Sequence, residues 1–466
     1  MLIPNLLARY QEKEPIPVMA WALLSHALSA DFLNDLFDRT ACKQYAKTLL
    51  FSNIFELMST VVTRVHRTVG AALQTKLQPI GVSNQAFYDK LNGLEPVLCE
   101  ALVRESSQRL SAVVDALGDI PPAPVPGYRT LILDGNAIGS TEHRIDELRD
   151  IGSAALPGKS LVFLDAQRGV STEMIACEDG HAQERSMSDE ILKRVRVGDL
   201  QIADRNFCTT KLLCGIHERG AAFLIREHKK LPWTALGPPV PQGTNEHGSF
   251  WEQPIRIDAA DGTSVLARRI IVELPQKMRD GDTKLVLLTT LPPEHADAMR
   301  VAQLYSTRWT IETMFQVLTT TLRCEVNALG YPRAALFIFA VALVAANVVS
   351  ALRAAIRSVH GGKAEALLST YYIVASIQAG YSTFLDGFGA EIVAPYACMS
   401  RAELVIFLQT CARHINLARY RRSPTKPKRP RQKKRPPAPV DQPHVSTARI
   451  LAASKRKKNA GKIRLP

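Results

Sequence analysis

The sequence predicts an α/β protein: a mixed sheet carrying a β-rich insertion, preceded by a helical N-terminal domain. Three observations lead there. Apolar residues recur at helical spacing as far as about residue 119, as in WALLSHALSADFLNDLF and EALVRESSQRLSAVVDAL. A stiff segment, PPAPVPGY at 121–128, then interrupts the chain. Beyond it come short apolar runs in the order three strands, helix, strand, helix, strand.

Residues 1–120 thus form the helical N-terminal domain. The runs TLILD (130–134), SLVFLD (160–165) and GVSTEMIAC (169–177) make a meander, followed by a polar helix near 183–196. DLQIAD (199–204) returns through that helix to lie parallel to the first strand, and a second helix to 219 leads into AAFLIR (221–226). These elements make residues 129–226 the first part of a core. The text from 227 to 295 is strand-like and turn-rich, an insertion, and helices resume over 296–420. One run, AALFIFAVALVAANVVSAL at 334–352, has the length of a membrane span. It stands alone, carries Asn347 and Ser350, and follows an amphipathic helix, so it reads as a buried central helix and no membrane partner is expected.

The formal charge of +14 is unevenly spread. From 421 to 466 there are 16 Lys and Arg against one acidic residue, Asp441, whereas the first 420 residues hold 42 basic and 43 acidic ones. A run such as RRSPTKPKRPRQKKRPPAP lacks the apolar surface to fold alone, so 421–466 is expected to be a disordered cationic arm suited to a polyanion. The eight cysteines show no paired short spacing, which suggests reduced thiols and a cytoplasmic protein. No signal-peptide pattern opens the chain. Cys208, Cys214 and His217 have no fourth ligand in register and match no usual zinc spacing.

The chemistry-bearing residues lie at strand ends and on one helix. Three runs end in aspartate: Asp134, Asp165 and Asp204. Such residues are often only turn formers. Asp165, on an antiparallel second strand, falls at the opposite edge of the sheet from Asp134, while Asp204, on a parallel neighbour, falls beside it. Paired carboxylates repel unless a cation lies between them, and oxygen ligands of this kind select magnesium or manganese. In LYSTRWTIETMFQVLTTTLRC (304–324), taking Tyr305 as zero, Arg308 falls near 300° and Glu312 near 340° on a helical wheel. Leu304, Ile311, Phe315, Leu318 and Leu322 fall between about 220° and 280°, so Glu312 sits at the rim of a buried stripe, placed to be a third metal ligand.

Asp134 in LILDGN, Asp204 in IADRNF, a β-rich insertion and then YSTRWTIE resemble the DDE transposases of bacterial insertion sequences, specifically the insertion sequence four family. The resemblance covers roughly residues 75–350. It implies a ribonuclease H-like core, two Mg2+ ions that Mn2+ can replace, and DNA cleavage and joining by direct phosphoryl transfer. By position it makes Asp134, Asp204 and Glu312 the catalytic metal ligands, with Tyr305 and Arg308 placing the transposon end. Its partners are double-stranded DNA, both transposon ends and target, and a second copy of the chain in a homodimer on DNA. One position departs from the family signature: seven residues after Glu312 stands Thr319 rather than lysine. Arg323, near 0° on the wheel, is the expected substitute.

Arg205 and Arg226 follow strands at the same edge and are further candidate phosphate contacts. Trp233 and Trp251 suit either core packing or stacking on an unpaired base. VSNQAFYDKLNGL (82–94) fits both a recognition helix and a plain capped helix. Two alternatives share these residues: a catalytically inactive DNA-binding descendant, and a ribonuclease H-like nuclease that does not join strands.

Overall fold

The computed structural model describes residues 9–44, 48–76, 81–139, 145–276, 281–388, 394–423 and 444–462. The chain opens with helices, among them α1 (Pro15–Ala27), α2 (Ala30–Thr40), α3 (Phe51–Val62), α4 (Val69–Lys76), α5 (Asn84–Gly93) and α6 (Pro96–Ala116). Local sequence sets their ends. Ser29 accepts from Phe32 N at 3.3 Å and Ser83 from Ala86 N at 3.2 Å, each capping a helix whose first amides lack partners. Within 82–94 the helix is α5, which Ser83 caps and which buries Phe87 and Leu91.

The strands that follow are β1 (Arg129–Ile138), β2 (Ala154–Leu156), β3 (Gly158–Asp165) and β4 (Val170–Cys177). After the short α7 (Ser188–Leu192) come β5 (Asp199–Ala203), α8 (Thr210–Glu218) and β6 (Ala222–Arg226). β1 pairs antiparallel with β3 and parallel with β5, and β5 runs parallel to β6. The resulting order, β4-β3-β1-β5-β6, is the ribonuclease H-like arrangement: a meander, then a helical crossover to the far side of the first strand.

The insertion supplies β7 (Thr234–Ala235), β8 (Val240–Asn245), β9 (Gly248–Asp258), β10 (Ser264–Glu273) and β11 (Lys284–Thr289). It is no separate sheet: β11 pairs antiparallel with β6, so β10 and β9 continue the core sheet outward. Arg268 on β10 grips Glu252 at 2.7 Å and donates to the carbonyls of Leu291 and Ala296, both at 2.8 Å, tying the insertion to the returning chain.

Helices then return as α9 (Ala298–Ser306), α10 (Trp309–Thr320), α11 (Pro332–His360), α12 (Gly362–Ala366), α13 (Thr370–Phe388), α14 (Ala394–Cys398) and α15 (Arg401–Arg413). Among the described residues α11 alone is long and apolar enough to cross a membrane, and 83% of its most apolar stretch is buried inside the protein. Its polar residue explains why it is a core helix: Asn347 accepts from Ser171 N at 2.8 Å and donates to Ser171 O at 2.9 Å, replacing the partner strand that β4 lacks. Glu100 of α6 does the same for Ala176 N at 2.9 Å.

One face of the sheet is covered by a core that runs without interruption from α1–α6 into α11 and α15, and the other by α8 with β9 and β10. The N-terminal helices, expected as a domain of their own, therefore share the main core; the Pro-rich segment marks a change of element type, and its Val125 is itself buried.

The cationic arm also departs from expectation. Residues 424–443 and 463–466 lie outside the described residues, but β12 (His444–Ser446) pairs parallel with β2 and leads into α16 (Thr447–Lys462). Val445, Ile450 and Leu451 pack on Ile145, Leu148 and Ala155, and Arg449 pairs with Asp179 at 2.8 Å. A few apolar residues inside a basic stretch suffice to dock its second half when a complementary edge is nearby, which a charge count does not register.

Candidate active site

The row Thr130, Ile132, Asp134 on β1 faces the helical side of the sheet, while Leu131 and Leu133 face the other side. Asp134 follows Leu133, whose neighbour on β5 is Ala203, the residue before Asp204. Asp134 and Asp204 thus stand at the same level on adjacent parallel strands, whose backbones lie about 4.8 Å apart by strand spacing. Asp204 ends β5 and opens a short turn, Arg205–Phe207, in which Phe207 N donates to the Asp204 carbonyl at 3.1 Å. Asp165 is elsewhere: it pairs with Leu131, three residues before Asp134, and closes the β3–β4 turn by accepting from Gln167 N at 2.9 Å and Arg168 N at 3.0 Å.

The segment expected as one helix is two, α9 and α10, with Thr307 and Arg308 at the joint. Leu304, Ile311, Leu318 and Leu322 are buried, and Glu312 is half-exposed at the rim. The joint turns Arg308 into the sheet, where it is 8% exposed. One guanidinium nitrogen donates to Asp134 Oδ2 at 3.2 Å and another to Glu312 Oε1 at 2.7 Å. Among the described residues Arg308 Nε is buried with no hydrogen-bond partner. The guanidinium also lies 5.9 Å from the ring centre of Tyr305 and 5.1 Å from that of Trp309.

Burial pushes the Asp134 carboxyl up to about 6; Glu184 and Asp204 push the same way, against the Gly135 amide and Arg308. Tyr305 is buried beside the Asp204 charge, and both effects raise its phenol, which stays neutral.

Two further neighbours carried no sequence signal. Glu184 closes on β1 beside Asp134: a side chain on Gly135 would place its first carbon 2.3 Å from Glu184 Oε1. Lys159 Nζ stands 3.9 Å from Glu184 Oε1. Trp309, 59% exposed, flanks Arg308. Glu184 lies in a polar stretch that only the fold brings to β1, and Trp309 is hidden by its own motif. A cavity of about 280 Å³ opens alongside, lined by Lys159, His181, Glu184, Arg185, Arg205 and His228.

Other expected contacts are placed as follows. Arg226 pairs with Asp282 at 2.8 Å and Arg205 approaches the same carboxylate at 3.9 Å. Thr319 is exposed, its hydroxyl bonded back to Phe315 O at 3.1 Å. Arg323 lies past the end of α10, so the wheel position expected for it does not exist. Its amide donates to Val62 O at 2.9 Å, and its guanidinium to Arg67 O. Trp233 stacks under Arg269, 4.9 Å from ring centre to guanidinium, and packs on the core beneath.

Asp134, Asp204 and Glu312 are hard oxygen donors with no thiolate or imidazole among them, the chemistry that magnesium and manganese prefer. Among the described residues no three ligating side chains are close enough to share one ion as they stand. The Arg308 cation lies between Asp134 and Glu312 and pairs with both. The donor set is of the kind that a divalent cation takes.

No curated protein matches the chain. Among solved structures it is similar to a piggyBac transposase synaptic complex with hairpin DNA, at 10% identity and a TM-score of 0.38, over 82% of this chain and 84% of that one. Residues 126–347, which carry Asp134, Asp204, Glu312 and the side chains gathered around them, match the family model of the transposase DDE domain.

Proposed function

We propose that the chain is a transposase of the insertion sequence four kind, which binds inverted terminal repeats, cuts DNA at their 3′ ends and joins the freed hydroxyl to target DNA. The observation that carries this reading is the convergence of Asp134, Asp204 and Glu312, from two adjacent strands and one helix, inside the span matched by the transposase DDE domain. The three carboxylates would hold Mg2+ or Mn2+, which supplies Lewis-acid activation of the attacking oxygen and stabilisation of the leaving one.

The chain's own residues have distinct tasks. Arg308 orients Asp134 and Glu312 while DNA is absent, and a DNA phosphate offers its guanidinium a stronger partner. Tyr305, held neutral and packed at 8% exposure, fixes the joint between α9 and α10 that aims Arg308. Arg226 and Arg205, gathered at Asp282, border the site with positive charge that suits the phosphate backbone. Trp309 offers an exposed ring on which a base at the cut can stack. Two transposon ends processed together call for two copies of the chain on DNA.

The test uses purified protein and a duplex bearing the inverted repeats that flank its gene, with Mg2+ or Mn2+. Nicks at the repeat ends plus a joined product support the transposase. Nicks without joining would make it a nuclease, and binding without nicks an inactive descendant.

A further inference from the structure

Three arginines line a single cavity of about 450 Å³ together with Gln378: Arg64, Arg67 and Arg323. Arg64 and Arg67 come from the turn between α3 and α4, Arg323 from the chain leaving α10, and Gln378 from α13, so three separate parts of the fold converge. Among the described residues none of the three arginines pairs with a carboxylate. Three like charges in one concavity repel each other, and their arrangement needs a cause.

The backbone is held in that arrangement at a cost. Arg64 has φ +62°, the one residue other than glycine in the left-handed region among the described residues. Such a conformation costs of order 1 kcal/mol or more and persists where surrounding contacts impose it. Here they do: Gln378 Nε2 donates to Arg64 O at 2.8 Å, Arg64 Nη2 donates to Thr320 O at 2.9 Å, and Arg323 donates to Arg67 O. Each bond uses a carbonyl as acceptor, so the positive charge stays unneutralised.

We infer that this cavity is a binding site for a phosphodiester of duplex DNA, separate from the carboxylate centre. Its ligand class follows from the chemistry: guanidinium forks match phosphate oxygens, and nothing in the lining reads a base. Its place follows from α10. Thr320, which Arg64 caps, lies eight residues along that helix from Glu312, about 12 Å at 1.5 Å per residue. That is the rise of three to four base pairs at 3.4 Å each. A strand whose scissile bond lies at Glu312 can therefore present a phosphate a few nucleotides away to the arginines. The site anchors the DNA in a fixed register while Arg308 exchanges its partners. This rests on the transposase reading.

The experiment measures binding of the full chain to a 30-base-pair random-sequence duplex over a salt series. Arg67→Gln, Arg323→Gln, the double Gln variant and the double Lys variant are compared with wild type, all checked by thermal melting. Each lost phosphate contact removes about 0.9 from the salt slope, so the single Gln variants should lose roughly one unit and the double roughly two, with affinity falling on the order of tenfold. The Lys double keeps the slope, since charge rather than the carbonyl bond of Arg323 sets it. Arg67→Gln, whose side chain anchors nothing, remains decisive if Arg323→Gln melts early. Unchanged slopes in a wild type that binds DNA overturn the site alone, whereas no binding by wild type overturns the transposase reading with it. Inorganic phosphate that raises the melting temperature of wild type but not of the Gln double, with DNA slopes equal, marks a free-phosphate site and also overturns the inference.

Discussion

Arg308 donates to Asp134 across 3.2 Å from a helix joint more than 170 residues further along the chain, and the same guanidinium holds Glu312 at 2.7 Å. A cation fixed between two carboxylates competes with any ion that those carboxylates would bind. Replacing it with an uncharged side chain of similar length, Arg308→Met, should raise the affinity of DNA-free protein for Mn2+ by up to about a thousandfold, since a unit charge about 4 Å away at an effective dielectric constant near 20 contributes about 4 kcal/mol. Titration calorimetry reads this directly. Equal or weaker binding by Arg308→Met would mean that the arginine does not guard the site.

Asp134 makes the site pH-dependent, with a definite sign. Its folded pKa, about 6, lies above the ordinary carboxylate value, so its protonated form stabilises the ion-free fold below about pH 4, and that contribution is lost as pH rises through 6. Asp134→Asn should therefore melt higher than wild type near pH 8, by about 1 to 3 kcal/mol, and lose the advantage near pH 4. A constant difference across that range would place the shift elsewhere. Ion affinity of wild type should fall below about pH 6, where the proton competes.

Asp165 ends β3 and Asp134 lies midway along the neighbouring β1, and their substitutions should behave differently. Asp165 satisfies two backbone amides and Arg168, so Asp165→Ala should lower stability by about 1 to 3 kcal/mol and leave DNA cleavage per folded molecule unchanged. Denaturant unfolding together with a cleavage assay separates the two quantities.

Asn347 is the polar anchor of the apolar helix α11. Asn347→Leu keeps the branched shape and number of side-chain heavy atoms but strands the amide and carbonyl of Ser171, both buried, and should cost about 2 to 4 kcal/mol by denaturant unfolding. A neutral effect would mean that β4 finds another partner.

The cationic segment has two separable roles. Removing residues 421–466 should lower the salt slope of duplex binding by about four to eight units, because an arm of 16 cations releases many counterions but never engages all at once. It should also lower the melting temperature, since β12 and α16 no longer cover Ile145, Leu148 and Ala155. A lower slope without any change in melting would mean that the docked half contributes nothing to the fold.

Much of this arrangement was legible from short-range pattern. The short apolar runs in TLILD and DLQIAD, with a helix between, foretold parallel neighbours and set Asp134 beside Asp204. The apolar stripe of 304–322 foretold that Glu312 sits at a rim. What pattern missed depends on long-range contact. No spacing announces that Glu184 closes on Gly135, or that Arg64 and Arg67 meet Arg323 from some 256 residues away. The wheel misled for Arg323 because α10 stops at Thr320, where three consecutive threonines turn their hydroxyls back on the helix or favour its end. The docking of residues 444–462 was masked by the charge of the run around them.

On the proposed reading, Asp134, Asp204 and Glu312 act as one catalytic unit on DNA. The direct test is a denaturing gel of a duplex carrying the gene's flanking inverted repeats, incubated with Mg2+ or Mn2+ and wild type, Asp134→Ala, Asp204→Ala or Glu312→Ala. Wild type should release 3′ hydroxyl ends at the repeats. Each variant should lose cleavage by roughly a thousandfold or more while retaining binding to the same duplex. Cleavage by Asp134→Ala or Glu312→Ala at the wild-type rate would contradict the claim.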